Sequence, residues 1–145
     1  MYEKFGQFIE GKWQPSEKKE TYEVINPATE EIIGHASKAT PADVDRALKS
    51  AEKGLEIWKK TQPWKRSSII RKIADKIRDR QDVLAKWLTL EVGKPFAEGK
   101  GEVGATADIF EWNSEETKRI YGQTVESRFE DTRIHVYYQP IGVVA

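Results

Sequence analysis

The sequence contains no cysteine and only two histidines among its 145 residues. Without cysteine the chain has no disulfide framework, no thiolate nucleophile and no cysteine-ligated zinc or iron–sulfur site. His35 and His135 lie one hundred residues apart, and neither belongs to an H-E-x-x-H pattern. The sequence therefore predicts neither a metal ligand nor a general base at these histidines.

The chain also lacks an excess of one charge and a long apolar segment. Lysine plus arginine equals aspartate plus glutamate at 24 each, so no net field attracts nucleic acid or an anionic membrane. Basic residues cluster between 65 and 80, but interleaved aspartates disfavour a nucleic-acid groove. No run reaches the roughly 18 apolar residues of a membrane span, and the N-terminus has no signal-peptide core. We expect a cytoplasmic protein that binds neither nucleic acid nor membrane.

Residues 1–38 predict two β-hairpins. In the stretch GQFIEGKW, apolar residues lie on both sides of the turn pair Glu10–Gly11. In the stretch YEVINPATEEIIG, two apolar segments flank a turn that begins at Asn26–Pro27. The first third of the chain is therefore expected to be short antiparallel strands.

A helix begins clearly at Thr40. Its hydroxyl can cap the helix, Pro41 suits the first helical position, and Asp43 completes a capping box. Apolar residues then recur at intervals of three and four, and they are Val44, Ala47, Leu48, Ala51, Leu55 and Trp58. This spacing predicts an amphipathic helix of about five turns.

Two further helices follow, which makes three over residues 40–122. The second runs from the break at Thr61–Pro63 to Gly93–Pro95, and the third from Pro95 to about Tyr121, with Gly122 as its C-terminal stop. The inner side of the second helix is expected to consist of Ile70, Ile73, Ile77, Leu84, Trp87 and Leu88.

The last twenty residues change from a helical period to a period of two. Ile134, Val136 and Tyr138 alternate with polar or aromatic residues over 124–140, which predicts a strand exposed on one face. The apolar run 141–145 has no cap, turn or polar tail, as at the start of a buried parallel strand. On this pattern we expect the chain to be cut from a longer one.

The hexamer GKGEVG at residues 99–104 matches the G-x-G-x-x-G pattern of dinucleotide-binding folds. That motif requires a strand that feeds directly into the glycines, whereas here a long helix and a Gly-Lys-Pro break precede them. The favoured interpretation is a narrow helix side that something approaches closely, on which Gly101, Ala105, Ile109 and Trp112 lie. We therefore expect no dinucleotide at these glycines.

Several segments in this order resemble the N-terminal portion of the NAD(P)-dependent aldehyde dehydrogenase superfamily. They are VINPATEEIIG, the helix opened by ATPADVDRALKS, LEVGKP, FEWNSEETKRIYGQT and YYQPIGVVA. The resemblance covers nearly the whole chain, and FEWNSEETKRIYG is most similar to the semialdehyde-oxidising branch, such as succinate-semialdehyde dehydrogenases. It implies an α+β/α/β fold class: a helical and β-hairpin segment, a β oligomerisation arm over 124–140, and the start of a Rossmann-like cofactor domain at 141–145.

The resemblance also implies an activity that this segment alone does not carry. In the family a cysteine thiolate attacks the aldehyde, hydride passes to NAD or NADP, and a glutamate activates the hydrolytic water. All these groups would lie beyond position 145, so this piece contains no catalytic or cofactor-binding residue and is expected to be inactive. The alternative is a non-catalytic interaction module or a degraded gene copy.

Supporting roles follow from the resemblance residue by residue. The family often holds a structural monovalent cation, which matches the backbone carbonyl of Val24 and the carboxylate of Glu91, although Glu91 could equally be a surface charge at a helix end. The face of Gly101, Ala105, Ile109 and Trp112 would lie near the substrate tunnel, with core packing the stronger interpretation for Ile109. Ile134, Val136 and Tyr138 would belong to the arm through which the family forms homo-oligomers, either dimers or tetramers.

Overall fold

A computed structural model describes residues 6–144 as ten elements of secondary structure. The strands are β1 (Gln7–Ile9), β2 (Lys12–Gln14), β3 (Thr21–Ile25), β4 (Ile32–Ser37), β5 (Gln123–Glu126) and β6 (Arg133–Val136). The helices are α1 (Pro41–Trp58), α2 (Pro63–Asp79), α3 (Gln81–Val92) and α4 (Phe96–Glu116). In the described part, successive strands pair into three antiparallel two-stranded sheets. The mixed helix and hairpin class is confirmed.

Both predicted N-terminal hairpins are confirmed within the described residues, although residues 1–5 lie outside them. Glu10 and Gly11 take positive φ values of 54° and 75°, as a tight hairpin turn requires. In the second hairpin, the side-chain oxygen of Asn26 accepts a hydrogen bond from the Ala28 N–H at 2.9 Å. The Asn26 N–H donates to the Glu31 carbonyl at 2.9 Å. The N-P-A-T segment is therefore a turn held by its own asparagine.

The start of α1 holds a buried carboxylate that several hydrogen-bond donors surround. The predicted capping box is present, with the Thr40 hydroxyl accepting from the Asp43 N–H and the Asp43 carboxylate accepting from the Thr40 N–H. Asp43 also accepts from the backbone N–H of Glu17 and pairs with Arg46, while only 1% of its surface is exposed. The Thr40 N–H, followed by these other donors, holds the pKa of Asp43 well below its usual range. Asp43 thus ties α1 to the segment that follows the first hairpin.

The compact part of the chain is a layer of three helices, in which α4 packs against α2 and α3. The buried apolar residues at its centre are small: Ala74 from α2, Ala85 from α3, and Val103 and Ala107 from α4. Small side chains let the helix axes approach closely. The predicted inner side of the second helix is therefore only partly right, because Ile73 is exposed beside the fully buried Ala74.

The prediction of three helices is wrong, because the second one is two helices. Arg80 leaves the helical conformation with φ −114° and ψ 16°, and it separates α2 from α3. This change of direction places Ala85 against α4. The last helix also ends five residues earlier than the expected Tyr121.

Gly122 opens the C-terminal hairpin instead of ending a helix. A Cβ added at Gly122 would lie 2.4 Å from the Val136 carbonyl oxygen, so β5 and β6 close on each other only with glycine there. Two strands form in this stretch, with β5 beginning at Gln123 and β6 ending at Val136, so that Tyr138 lies beyond the strand. Their role as an oligomerisation arm stays a prediction.

Residues 141–144 lie in no strand, and Ala145 is outside the described residues. A parallel strand needs a neighbour for its backbone hydrogen bonds, and no strand of the described chain pairs with this segment. The start of a cofactor-domain strand at 141–145 therefore stays a prediction. Between residues 6 and 144, no helix combines the length and the apolar composition needed to cross a membrane.

Candidate functional surfaces

The glycine hexamer lies entirely inside α4. The helix begins at Phe96, and the N–H of Gly99 already donates to the Pro95 carbonyl at 3.1 Å. No strand runs into the glycines, so the geometry of a dinucleotide turn is not formed here. The helical interpretation of this hexamer is confirmed.

The close approach predicted for this stretch occurs at a different glycine. A Cβ on Gly99 would lie 3.1 Å from the Ala85 carbonyl oxygen and 3.3 Å from the Thr89 hydroxyl, both on α3. At Gly101 the same atom would meet nothing within 4 Å. No described residue therefore approaches Gly101 closely, and the close packing expected there stays a prediction.

Gly101, Ala105, Ile109 and Trp112 do share one side of α4, and that side is exposed. Ile109 is 62% exposed and Trp112 70% exposed. Ile109 lies outside the core of the described residues, because the opposite side of the helix packs inward, with Gly99, Val103, Ala107 and Ser114. The core role expected for Ile109 stays a prediction. We call the exposed set the α4 outer face. Its residues grow from small to large toward the C-terminal end of the helix.

An open cavity of about 400 Å³ lies at the large end of the α4 outer face. Its lining residues are Asp108, Glu111, Trp112, Glu115 and Arg119. The acids of this region are paired: Arg78 bonds Asp108 at 2.8 Å, and Arg71 reaches Glu111 at 3.0 Å. These two carboxylates raise the pKa of Arg78. The charges tie α2 to α4 around a cavity whose main apolar group is Trp112.

Two carboxylates near this cavity are held ionised by neighbouring cations. A hydrogen bond from Lys118 lowers the pKa of Glu115, and one from Arg119 lowers the pKa of Glu116. A general acid at neutral pH would need the opposite shift. Glu115 and Glu116 therefore form the charged end of a helix and are unsuited to act as general acids.

The elements that carry the two expected cation ligands meet at Gly93. Gly93 ends α3 with a positive φ of 74°, and a Cβ there would lie 3.0 Å from the Pro27 side chain and 3.3 Å from the Ala28 nitrogen. Val24 lies shortly before this turn in β3, and Glu91 lies two residues before Gly93. The turn after β3 thus rests on the C-terminal end of α3. Among residues 6–144, no three histidine or acidic side chains cluster as a metal site.

The β5–β6 hairpin has one apolar and one polar face. Val125 pairs with Ile134, and Gln123 pairs with Val136, which places three apolar side chains on one side. On the other side the Thr124 hydroxyl lies 3.2 Å from His135 Nδ1, and Glu126 faces Arg133. All these strand residues are exposed. An apolar hairpin face open to water is typical of a surface that another chain segment covers.

The sequence profile of the aldehyde dehydrogenase family matches residues 13–145. The chain belongs to the aldehyde dehydrogenase family. Curated relatives include the glutarate-semialdehyde dehydrogenase of Pseudomonas aeruginosa, 42% identical over 95% of this chain and 29% of the relative. The succinate semialdehyde dehydrogenase of Acinetobacter baylyi is 43% identical over 94% of this chain and 28% of the relative. The chain thus spans less than a third of the length of these relatives.

Solved structures of aldehyde dehydrogenases have the same backbone arrangement. Succinate-semialdehyde dehydrogenase from Burkholderia pseudomallei superposes with a TM-score of 0.88 at 37% identity, over 95% of this chain and 29% of that one. Betaine aldehyde dehydrogenase from Staphylococcus aureus, in complex with NAD⁺, superposes with a TM-score of 0.82 at 30% identity, over 90% of this chain and 27% of that one. The helix layer and hairpins are therefore an arrangement shared with aldehyde dehydrogenases.

Reasoning from the sequence missed two contacts that shape this aldehyde dehydrogenase segment, although it named Asp43 and Gly93. The partly buried hydrogen bond from the Glu17 N–H to Asp43 had no signal, because the two residues are far apart in sequence. The contact of Gly93 with the N-P-A-T turn could have been suspected, since a glycine that ends a helix often takes a left-handed conformation. Both contacts join the N-terminal hairpins to the helices.

Proposed function

We propose that this chain is part of an enzyme that oxidises an aldehyde to a carboxylic acid with NAD⁺ or NADP⁺, acting in the cytoplasm. A semialdehyde is the substrate class that we favour. The observation that carries the proposal is the identity of 42–43% to two semialdehyde dehydrogenases across almost all of this chain. We assign the binding of the nicotinamide cofactor to the longer enzyme of which this chain would be part, and this assignment rests on the family membership.

The described residues fit a supporting role better than a catalytic one. The sequence has no cysteine to form the thiohemiacetal, and its helix glycines use their amides within α4. The α4 outer face offers a graded apolar surface that ends at Trp112 and its cavity. We infer that Gly101, Ala105, Ile109 and Trp112 form part of the wall along which the aldehyde reaches the reaction centre.

The two candidate ligands have the chemical type that a monovalent cation binds. A hard monovalent cation takes oxygen ligands, and the Val24 carbonyl and the Glu91 carboxylate belong to elements that meet where the N-P-A-T turn packs on Gly93. Bound there, the ion would strengthen the junction between β3 and α3. Its role would be structural, because no reacting group of the segment lies at this junction.

The apolar face of the β5–β6 hairpin is proposed to pair subunits. Val125, Ile134 and Val136 lie exposed on one side of the hairpin, and Tyr138 follows shortly after it. A second subunit that covers this face would make a homodimer or a tetramer. The same exposed face favours the competing proposal, in which the chain is a non-catalytic interaction module.

The purified 145-residue chain is expected to form no NAD(P)H from succinate semialdehyde or glutarate semialdehyde with either dinucleotide. The reason is that it has no thiolate nucleophile, and no other residue that we find replaces one. The measurement is the absorbance of the reduced nicotinamide over time, with the Acinetobacter baylyi enzyme as a positive control. Aldehyde-dependent NAD(P)H formation by the chain alone, at a rate above that of boiled protein, would contradict the proposal that this chain only supports a reaction centre located elsewhere in the enzyme.

A further inference from the structure

The cavity at the large end of the α4 outer face is lined by more acids than bases. Its lining holds three carboxylates, those of Asp108, Glu111 and Glu115, and one guanidinium, that of Arg119. The fifth lining residue is Trp112, whose side chain is largely exposed. Without compensation, a lining with this excess of carboxylates would repel an anion that approached Trp112.

Cations that lie outside the lining compensate these carboxylates. Two of the cations belong to α2, and the third follows the end of α4. The bonded pairs are Arg78 with Asp108 at 2.8 Å, Arg71 with Glu111 at 3.0 Å, and Lys118 with Glu115 at 2.5 Å. Arg78 also bonds Glu111. Each carboxylate of the lining therefore has a bonded cation.

The compensation of Asp108 depends on Arg78. Among residues 6–144, Asp108 bonds no other cation, whereas Glu111 also has Arg71. The side chains of Arg78 and Asp108 are 37% and 76% exposed. An ion pair this exposed contributes little to stability, so its larger effect is on the charge at the cavity.

We propose that Arg78 is a specificity-determining residue, which lets an aldehyde that carries a carboxylate approach Trp112. It acts by compensating the negative charge of Asp108, and it is not a catalytic residue. The inference rests on the proposed function, in which the α4 outer face forms part of the wall along which the aldehyde reaches the reaction centre. A semialdehyde carries its carboxylate at the end of the molecule opposite to the aldehyde, so that this group would pass the charged cavity.

The test compares an anionic and a neutral aldehyde of equal length in a complete enzyme. The enzyme is a chimera in which this chain replaces the matched 28% of the Acinetobacter baylyi succinate semialdehyde dehydrogenase. Butanal is the neutral aldehyde, since it has a methyl group where succinate semialdehyde has its carboxylate. Arg78→Gln should lower kcat/KM for succinate semialdehyde, relative to butanal, by about threefold or more at low ionic strength. The loss should lie in KM and should shrink in about 0.5 M salt, because salt screens exposed charges.

Two further variants separate an effect of charge from an effect of packing. Asp108→Asn, combined with Arg78→Gln, removes the uncompensated carboxylate and should restore the ratio of the two kcat/KM values. Lys76→Gln is the matched control, because it removes one positive charge from the side of α2 opposite to the buried Ala74 and should leave the ratio unchanged. A role of Arg78 in packing alone would affect both aldehydes equally, and Asp108→Asn would not reverse it.

Two results would overturn the role of Arg78 in specificity. One is a ratio in Arg78→Gln equal to that of the unmodified chimera, and the other is a changed ratio that Asp108→Asn does not restore. A chimera that oxidises neither aldehyde would contradict the proposed function, and this inference with it. A chimera that oxidises both aldehydes with a ratio insensitive to Arg78→Gln would contradict this inference alone, so the two failures are distinguishable.

Discussion

Gly93→Ala is expected to lower the free energy of unfolding by about 1–3 kcal/mol. Gly93 has a positive φ of 74°, which an alanine adopts only with strain. The added Cβ would also lie 3.0 Å from Pro27 Cγ and 3.3 Å from the Ala28 nitrogen. Part of the junction between the second hairpin and α3 must therefore move. Urea denaturation of the 145-residue chain, followed by circular dichroism, measures the loss.

Gly101→Ala is the matched control for this prediction, and its effect should have the opposite sign. Gly101 lies within α4, and a Cβ there meets nothing within 4 Å. The substitution should raise the free energy of unfolding by about 0.5–1 kcal/mol, because alanine loses less entropy than glycine on entering a helix. If Gly93→Ala were as stable as Gly101→Ala, the turn at Pro27 would not rest on Gly93 as described.

Asp43→Asn is expected to destabilise the chain at about pH 7 more than Thr40→Ala does. Loss of the Thr40 cap is worth about 1 kcal/mol in general. Asparagine keeps the size of Asp43 but replaces one acceptor oxygen by an NH₂ donor. The groups around it are themselves donors: the N–H groups of Thr40 and Glu17 and the Arg46 guanidinium. At least one of these donors would then lose its acceptor. Denaturation of both variants and the unmodified chain ranks the three stabilities.

The acid dependence of stability supplies a second measure of Asp43. The folded pKa is lower than the ordinary value of 3.8, so the folded state binds fewer protons, and stability rises with pH between the two values. The contribution of Asp43 is complete above pH 3.8 and is lost as the pH falls from there through the folded pKa. Glu115 and Glu116 are shifted in the same direction, so the difference between the unmodified chain and Asp43→Asn isolates this carboxylate. Parallel acid curves, or equal stability at pH 7, would mean that Asp43 does not hold α1 to the segment at Glu17.

Local signals predicted the elements that depend on neighbours in sequence. Glu10–Gly11 predicted the turn of the first hairpin, and Thr40 with Asp43 predicted the start of α1. Both predictions were possible because a few adjacent residues determine turns and caps. The break at Arg80 has no such signal, since neither glycine nor proline lies between Arg78 and Val83. That break depends on α3 packing against α4, which periodicity along one helix does not reveal.

The candidate surfaces were predicted as sets of residues, but their burial was not. Four-residue spacing placed Gly101, Ala105 and Ile109 on one side of a helix, which the structure bears out. Spacing does not say which side faces a neighbour. The larger apolar residues suggested the inner side, whereas small residues such as Gly99 and Ala107 are buried because α3 approaches closely. The family resemblance rested on several motifs in a fixed order, and no single motif or periodicity would have indicated the family.

The most direct test of the proposed function is the activity of a chimera. This chain replaces the matched 28% of the Acinetobacter baylyi succinate semialdehyde dehydrogenase, and the rate of NAD(P)H formation is measured with succinate semialdehyde. A rate within about tenfold of the parent enzyme is predicted, since a segment that only supports the site should be exchangeable at a cost near 1.4 kcal/mol. A folded chimera that forms no more NAD(P)H than the same enzyme without the segment would contradict the proposal that this chain is a working part of an aldehyde dehydrogenase.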